Sequence, residues 1–298
     1  MIRVSVLIPT FRRPDGLLRA VRSVFEQSDL HGVELVVVDN SPEGDAVQTC
    51  EAIAAFAPIP FRWAHEPRAG VANARNMAIA LAHGELVAWL DDDEEASSGW
   101  LEALITRRRE TGAQAVFGPV HALAPEASAV SAYVVRLYSR TGPANDCALT
   151  APYGIGNSLQ PRAMFGEANP FDASANQRGG EDDLLFASWA EAGARFAWAA
   201  DALVIEHVDA NRAHLAHGLR RAFAYGQGPC ETAWAQRRYG ALAKHMGVGA
   251  AQAFVYGAGA LIASAGSGSR AVHLLDGAAR GAGKVLWFVE QRFYGDAA

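Results

Sequence analysis

Five carboxylates in a row, Asp91, Asp92, Asp93, Glu94 and Glu95, follow directly on the apolar run Leu86-Val87-Ala88-Trp89-Leu90. Acids packed this closely repel one another unless a cation or water screens them. Hard oxygen ligands at one spot suit Mg²⁺ or Mn²⁺ bridging the phosphates of a bound molecule. A solvated acidic loop is the alternative. The run in front argues for the first reading. An unbroken apolar stretch is what a strand buried on both faces of a parallel sheet looks like. Open α/β sheets bind their ligands at the carboxyl ends of such strands.

Other residue types of the right kind stand at comparable places. Asp39 ends the run Leu35-Val36-Val37-Val38 and precedes Asn40-Ser41-Pro42, so it is either a ligand-facing acceptor or the start of an Asx turn. Arg68, Arg75 and Asn76 flank the start of a helix; Arg75 is a permanently charged fork, suited to an anion or to fixing a carboxylate. Glu181, Asp182 and Asp183 follow Gly179-Gly180 at another helix start. One acid there would simply favour the helix dipole; three in a row exceed what capping needs. His207 ends the run Ala202-Leu203-Val204-Ile205, and a lone histidine at such a place is either a ligand or a structural residue. Trp89, Trp100 and Trp189 sit at spacings that favour core over a sugar-stacking surface.

The elements that must position these residues alternate regularly. Strands are expected over 4–8, 34–38, 61–65 and 86–90, with helices between them over 15–25, 46–56 and 71–82, Asp15 capping the first. A helix over 100–110 and a strand around 115–120 complete this half. Such alternation means a mostly parallel, doubly wound α/β sheet with right-handed crossovers. Residues 10–13, 39–41 and 91–95 then converge on one sheet edge. Beyond 120 the pattern loosens: a helix over 128–138, a Gly-rich turn at 153–158 leading into 159–162, a helix over 184–192, a strand within 197–207 and a helix over 213–225. Residues 248–266 are uncharged and long enough to cross a bilayer, but their Ala/Gly content favours a packed or interfacial helix.

The 298 residues suffice for one large α/β body and an appendage. Net charge is −6, which argues against a nucleic-acid partner. The charge is uneven: residues 1–206 hold 16 Lys/Arg and 27 Asp/Glu, residues 207–298 hold 10 and 5. Three scattered cysteines without a CxxC spacing read as reduced thiols of a cytoplasmic protein, and the first residues lack the apolar length of a signal peptide.

Five segments, in order across about residues 3–207, carry a family resemblance: Val6-Leu7-Ile8-Pro9-Thr10-Phe11, Val36-Val37-Val38-Asp39-Asn40-Ser41, Arg68-Ala69-Gly70-Val71-Ala72-Asn73-Ala74-Arg75-Asn76, Asp91-Asp92-Asp93 and Gly180-Glu181-Asp182-Asp183. Together they resemble the family 2, inverting glycosyltransferases with the GT-A (Rossmann-like) fold, of the type that builds bacterial exopolysaccharide and other cell-surface glycans. The resemblance implies transfer of a sugar from a nucleotide-diphosphate donor, UDP-sugar first, to a hydroxyl of a glycan or lipid-linked glycan. It implies Pro9, Thr10, Arg12, Asp39, Arg68, Arg75, Asn76, Asp91 and Asp92 around the donor, with Asp39 accepting from the base. Mg²⁺ or Mn²⁺ would be held by Asp93, with Asp91 and His207. Asp182 matches the catalytic base, with Asp183 as its one-position alternative. Gly154, Gly156, Asn157, Glu181 and Asp183 fall on the acceptor side. Glu94 and Glu95 exceed the motif and are expected to face solvent.

On this reading residues 1–207 form the transferase domain, with a donor half at 1–120 and an acceptor half at 121–207. Residues 208–298 form a C-terminal helical extension whose basic residues suit peripheral contact with an anionic membrane at the inner face of the plasma membrane. A nucleotidyltransferase is the first rival, but the loop after the first strand, Thr10-Phe11-Arg12-Arg13, has no glycine to cradle a triphosphate. A non-catalytic nucleotide-sugar-binding protein is the second, and the complete set of Asp91, Asp93 and Asp182 argues against it.

Overall fold

The computed structural model describes residues 2–126, 130–166, 169–175 and 180–289. In chain order the elements are β1 (Val4–Thr10), α1 (Pro14–Phe25), β2 (Val33–Asp39), α2 (Val47–Phe56), β3 (Phe61–His65), α3 (Val71–Leu81), β4 (Leu86–Trp89), β5 (Glu94–Ala96), α4 (Trp100–Thr111), β6 (Ala115–Phe117) and β7 (Val120–Leu123). There follow α5 (Ser131–Tyr138), β8 (Cys147–Leu149), β9 (Ser158–Pro161), α6 (Glu181–Glu191), β10 (Phe196–Trp198), β11 (Val204–His207), α7 (Leu215–Ala235), α8 (Tyr239–Ser264) and α9 (Gly268–Val285). The expected helix over 128–138 starts at Ser131; residues 128 and 129, and Arg178-Gly179 ahead of α6, lie outside the described residues.

The main sheet has the order β3-β2-β1-β4-β9-β6-β10-β8. Its first four strands are parallel, β9 runs antiparallel between β4 and β6, and β8 closes the far edge antiparallel to β10. The alternation of the strands explains the burial. Val4, Val6, Ile8, Leu35 and Val37 point to one face and meet Leu17, Val21 and Val24 of α1, Ile53 of α2 and Trp100 and Leu104 of α4. Leu7, Val36, Val38, Val87 and Trp89 point to the other and meet Ala78 and Ile79 of α3 and Phe186 and Trp189 of α6. All three tryptophans named above are therefore core, each contributing about 1.5–3 kcal/mol or more by burial. Glu34, buried at the start of β2, accepts from Ser5 Oγ at 2.6 Å and the His83 amide at 2.6 Å. Burial pushes its carboxyl up, and those bonds, with Arg62, bring it below the usual range.

Some boundaries differ from expectation. Asp15 does not cap α1; Pro14 opens that helix, Asp15 sits in its first turn, and no side chain caps it. The helix expected over 184–192 begins three residues earlier, so Glu181, Asp182 and Asp183 form the first turn of α6. The acidic run is not all loop: Glu94 enters β5, which pairs antiparallel with β11 in a second sheet of order β5-β11-β7.

Two compact units result. Residues 2–121 with 139–207 form the first, which holds the main sheet; residues 122–138 with 208–289 form the second. In the second unit α5, α7, α8 and α9 pack together. Small residues let these helices close up: a Cβ on Gly249 of α8 would come within 2.5 Å of the Lys284 Cβ of α9, and one on Gly281 within 2.5 Å of the Ala253 nitrogen.

Candidate active site

The register of β1 and β2 places Thr10 beside Asp39 at the carboxyl edge of the sheet, with His65 of β3 next in line. Asp39 is fully buried. Its Oδ1 accepts from Ser41 N at 2.9 Å and Ser41 Oγ at 2.6 Å, and its Oδ2 from Ala46 N at 2.8 Å. This is the Asx turn, and it shapes the entry to α2. Oδ1 has both lone pairs engaged, so Oδ2 keeps the one left for a ligand. Neighbouring Asn40, which the sequence did not single out, spans the loop before α3: its amide donates to the carbonyls of Glu66 at 2.8 Å and Arg68 at 2.9 Å and accepts from Gly70 N at 2.7 Å.

Arg68 clasps Glu66 through two bonds of 2.9 and 2.8 Å, and its side chain is 77% exposed. Arg12 has a left-handed backbone, φ 55°, and turns to Glu43 at 3.1 Å. Asn76 exchanges both its amide groups with the main chain of Phe171, at 2.9 and 3.0 Å. That pairing makes Asn76 a brace for the chain after the 3₁₀ turn Arg162–Phe165 and not a ligand-facing group. Pro9 stays in β1, paired in register with Val38.

The acidic run divides by environment. Asp92 is buried and accepts from Thr10 Oγ1 at 2.8 Å, Phe11 N at 3.1 Å and Arg13 at 2.8 Å. Arg13 also reaches Asp93, at 2.9 Å. Asp92 thus ties the loop after β1 to the loop after β4, a bracing role. Burial pushes its carboxyl up to about 6, against the pull of Arg13. Glu94, expected in solvent, is buried, and its Oε2 accepts the Asp91 amide at 2.9 Å. It belongs to the site because β5 carries it inward. Burial and the nearby Asp91 push it well above the usual carboxylate range. Glu95 points the other way and pairs with the His207 ring at 2.8 Å. His207 touches the acidic run otherwise through its main chain, its amide donating to the Asp93 carbonyl at 2.8 Å. Its ring is therefore partnered by Glu95, where a metal ligand was expected.

The loop over 154–157 joins the two halves of the site. On one side a Cβ on Gly156 would come within 2.6 Å of Asp91 Oδ2, so only glycine lets the backbone sit against that carboxylate. On the other side Ile155 N donates to Asp182 Oδ2 at 2.9 Å. Asp182 Oδ1 accepts from Asp183 N at 3.0 Å, leaving Asp183 itself exposed on α6. Glu181 turns inward to an ion pair with Arg75, whose guanidinium also lies over the Phe171 ring at 5.8 Å. Asn157 is fully buried, with φ 50°. It accepts from Trp100 Nε1 at 2.7 Å and donates to the carbonyls of Pro119 at 2.7 Å and Ala202 at 2.8 Å. Its side chain is a core strut and not part of an acceptor pocket.

Asn157→Ala is accordingly expected to lower stability, not to change acceptor choice. It removes the partner of the Trp100 N–H and the side-chain donor to the Ala202 carbonyl, while the Pro119 carbonyl keeps Val204 N. A buried group left without a partner costs about 1–3 kcal/mol. A denaturation midpoint within error of wild type would refute this.

Arg140 was invisible to the sequence reading, because it stands in a stretch without periodicity. It donates to the carbonyls of Gly156 at 2.7 Å and Gly154 at 2.9 Å, and at 3.3 Å to Gly118 and Asn157. Burial lowers its pKa, while Glu94, Asp91, Asp182 and Glu206 hold the charge in place. Among the described residues no three His, Cys, Asp or Glu side chains converge as a ready-made metal site. The acids nonetheless outweigh the cations. Burial raises the Asp91 carboxyl, and Asp93 and Asp182 raise it further, against Arg75 and Arg140. A divalent cation carried in with phosphate oxygens would relieve that repulsion, so the donor set fits one.

Residues 5–127 match the family model described as Glycosyl transferase family 2. The succinoglycan biosynthesis protein ExoM of Rhizobium meliloti is 30% identical over 242 residues, covering 76% of this chain and 74% of that protein. A GalNAc(5)-diNAcBac-PP-undecaprenol beta-1,3-glucosyltransferase of Campylobacter jejuni is 31% identical over 119 residues, 40% of this chain and 38% of that one. In structure the chain is similar to S. aureus TarS 1-349 in complex with UDP-GlcNAc, with TM-score 0.55 and 16% identity, covering 75% of this chain and 66% of that one. That likeness bears on the fold alone and agrees with the GT-A expectation: a large α/β sheet followed by helices.

Proposed function

The chain belongs to the family 2 glycosyltransferases of the bacterial cell-surface glycan type, and from that premise we propose an inverting transfer of sugar from a UDP-sugar to a hydroxyl of a glycan or lipid-linked glycan. One observation carries the reading: the loop over 154–157 lies against Asp91 on one side and bonds Asp182 on the other. A donor phosphate and an acceptor hydroxyl would meet across that loop. TarS with UDP-GlcNAc and the undecaprenol-linked relative from Campylobacter jejuni support the choice of donor and acceptor class.

In this mechanism the nucleotide lies along the edge formed by Thr10 and Asp39, where the remaining lone pair of Asp39 Oδ2 accepts from the base. Asp91 and Asp93 would hold Mg²⁺ or Mn²⁺, which supplies Lewis-acid charge for the departing diphosphate. Asp182 takes the proton of the acceptor hydroxyl, whose oxygen forms the new bond to the anomeric carbon as the old bond to the diphosphate breaks. The nucleoside diphosphate leaves on the opposite face, so configuration inverts. The Ile155 amide aims Asp182, and Arg75 holds Glu181 aside so that the two acids do not compete. Arg68, Arg12 and Asn76 act only through the loops they brace.

Thermal unfolding with Mn²⁺ and each of UDP, GDP, dTDP and CDP tests the donor class. UDP near a hundred times its dissociation constant adds about 2.7 kcal/mol, a rise of roughly 5–10 °C for a domain of this size. A larger rise with another nucleotide would move the donor to that base. No rise with any of them would overturn the reading.

A further inference from the structure

Among the described residues α8 is the one helix long and apolar enough to cross a membrane, with mean hydropathy 1.4 over its most apolar 18 residues, yet only 11% of that stretch is buried. Its side chains explain this. Val248, Ala251, Phe254, Val255, Leu261 and Ile262 recur at helical spacing along one exposed face. Phe254, Leu261 and Ile262 are 78%, 77% and 78% exposed. No charged residue occurs between Lys244 and Arg270. Scattered exposed apolar residues need no explanation, but a continuous stripe about four turns long does.

The opposite face of α8 determines what can cover it. That face packs on α9 through Gly249, Gly277 and Gly281, close to Lys284. Beside it a cleft of about 460 Å³ is lined by Arg136, Arg280, Lys284, His273 and Asp276, with Gln252 and Tyr256 of α8 itself. Asp276 answers Arg280 at 2.9 Å and Arg136 at 3.8 Å. Lys284 donates to Gln252 at 2.6 Å. Arg280 and Arg136 therefore share one carboxylate, and Lys284 adds a third positive charge to the same cleft. An apolar stripe edged by surplus positive charge matches the boundary between acyl chains and anionic headgroups. A spanning α8 would carry Lys284, Asp276 and Arg280 into hydrocarbon, at high cost.

We infer that α8 is an interfacial anchor: its Phe254–Ile262 face lies in the surface of an anionic phospholipid bilayer, and the Arg136/Arg280/Lys284 cleft takes headgroup phosphate. The inference stands on α8 and its neighbours and does not rest on the sugar-transfer reading.

The test is co-flotation of the full chain with vesicles of phosphatidylcholine alone or mixed with phosphatidylglycerol. Wild type floats with the mixed vesicles, less with the neutral ones, and is released by alkaline carbonate. F254S/L261S/I262S changes only exposed positions, so it keeps its circular dichroism and loses binding by about tenfold or more. R136Q/K284Q loses the preference for the anionic vesicles. Wild type left in the soluble fraction, or the triple variant floating as well as wild type, overturns the inference. So does a wild-type dimer that the triple variant abolishes without any vesicle binding, because α8 would then cover a second copy. Resistance to carbonate would replace the interfacial anchor with a spanning one. Donor hydrolysis followed on the same samples reads separately: lost flotation with hydrolysis intact removes only the anchor, and the reverse removes only the transfer reading.

Discussion

Asp182→Asn is expected to lower sugar transfer by roughly 10²–10⁴-fold, the contribution of a positioned general base, while leaving the affinity for UDP within about twofold of wild type. The geometry makes the substitution clean. Asp182 is held by main-chain donors, Ile155 N and Asp183 N, and the Arg140 charge that faces it is anchored separately on main-chain carbonyls. An asparagine keeps an oxygen for the Ile155 amide, gives up only the bond from the solvent-exposed Asp183 N, and cannot take a proton. Asp183→Asn is the matched control. Asp183 is exposed on α6, so near wild-type turnover is expected from it. If Asp183→Asn were the inactive variant and Asp182→Asn the active one, the base would move by one residue and the role of the 154–157 loop would have to be redrawn. If both were active, the inverting mechanism on α6 would fall.

The way these residues were found shows which parts of the site a sequence displays. Asp39, Asp91–Asp93 and Asp182 were legible because each follows a buried strand or opens a helix, and local periodicity marks both. β3 was read to the residue, because its flanking turns are punctuated by proline and by Glu66-Pro67. Glu94 was misread for the same local reason. Nothing in five consecutive acids says that the fourth enters a strand, and its burial depends on β11, about 110 residues downstream. The resemblance implies Asn76 around the donor and Asn157 in the loop on the acceptor side. Only the three-dimensional structure shows Asn76 committed to Phe171 and Asn157 to Trp100, Pro119 and Ala202. The antiparallel insertion of β9 between β4 and β6 was equally hidden, because a short strand carries no mark of its partner's direction.

Arg140 is the strongest instance, and its removal should have the largest effect on stability. Its guanidinium gathers four main-chain carbonyls, those of Gly118, Gly154, Gly156 and Asn157. It also faces Asp91, Glu94, Asp182 and Glu206. Arg140→Met should therefore remove the side-chain donor from the Gly154 and Gly156 carbonyls, while the Asn157 carbonyl keeps the Gly118 amide, and leave the carboxylates uncompensated. Breaking a buried charge arrangement by deleting one partner costs about 3–5 kcal/mol, which lowers Tm by roughly 6–20 °C for a domain of this size. Arg140→Lys separates the two parts of the role. A lysine keeps the charge, so much of the stability returns, but its single ammonium cannot fork across Gly154 and Gly156 at once. The loop then loosens against Asp182, and transfer stays impaired while Tm recovers. Full recovery of both by lysine would show that Arg140 supplies charge alone. Wild-type stability in Arg140→Met would show that the loop is set by something else. On the geometry described, the loop that brings Asp91 and Asp182 to the same place is held by a residue that carries none of the chemistry.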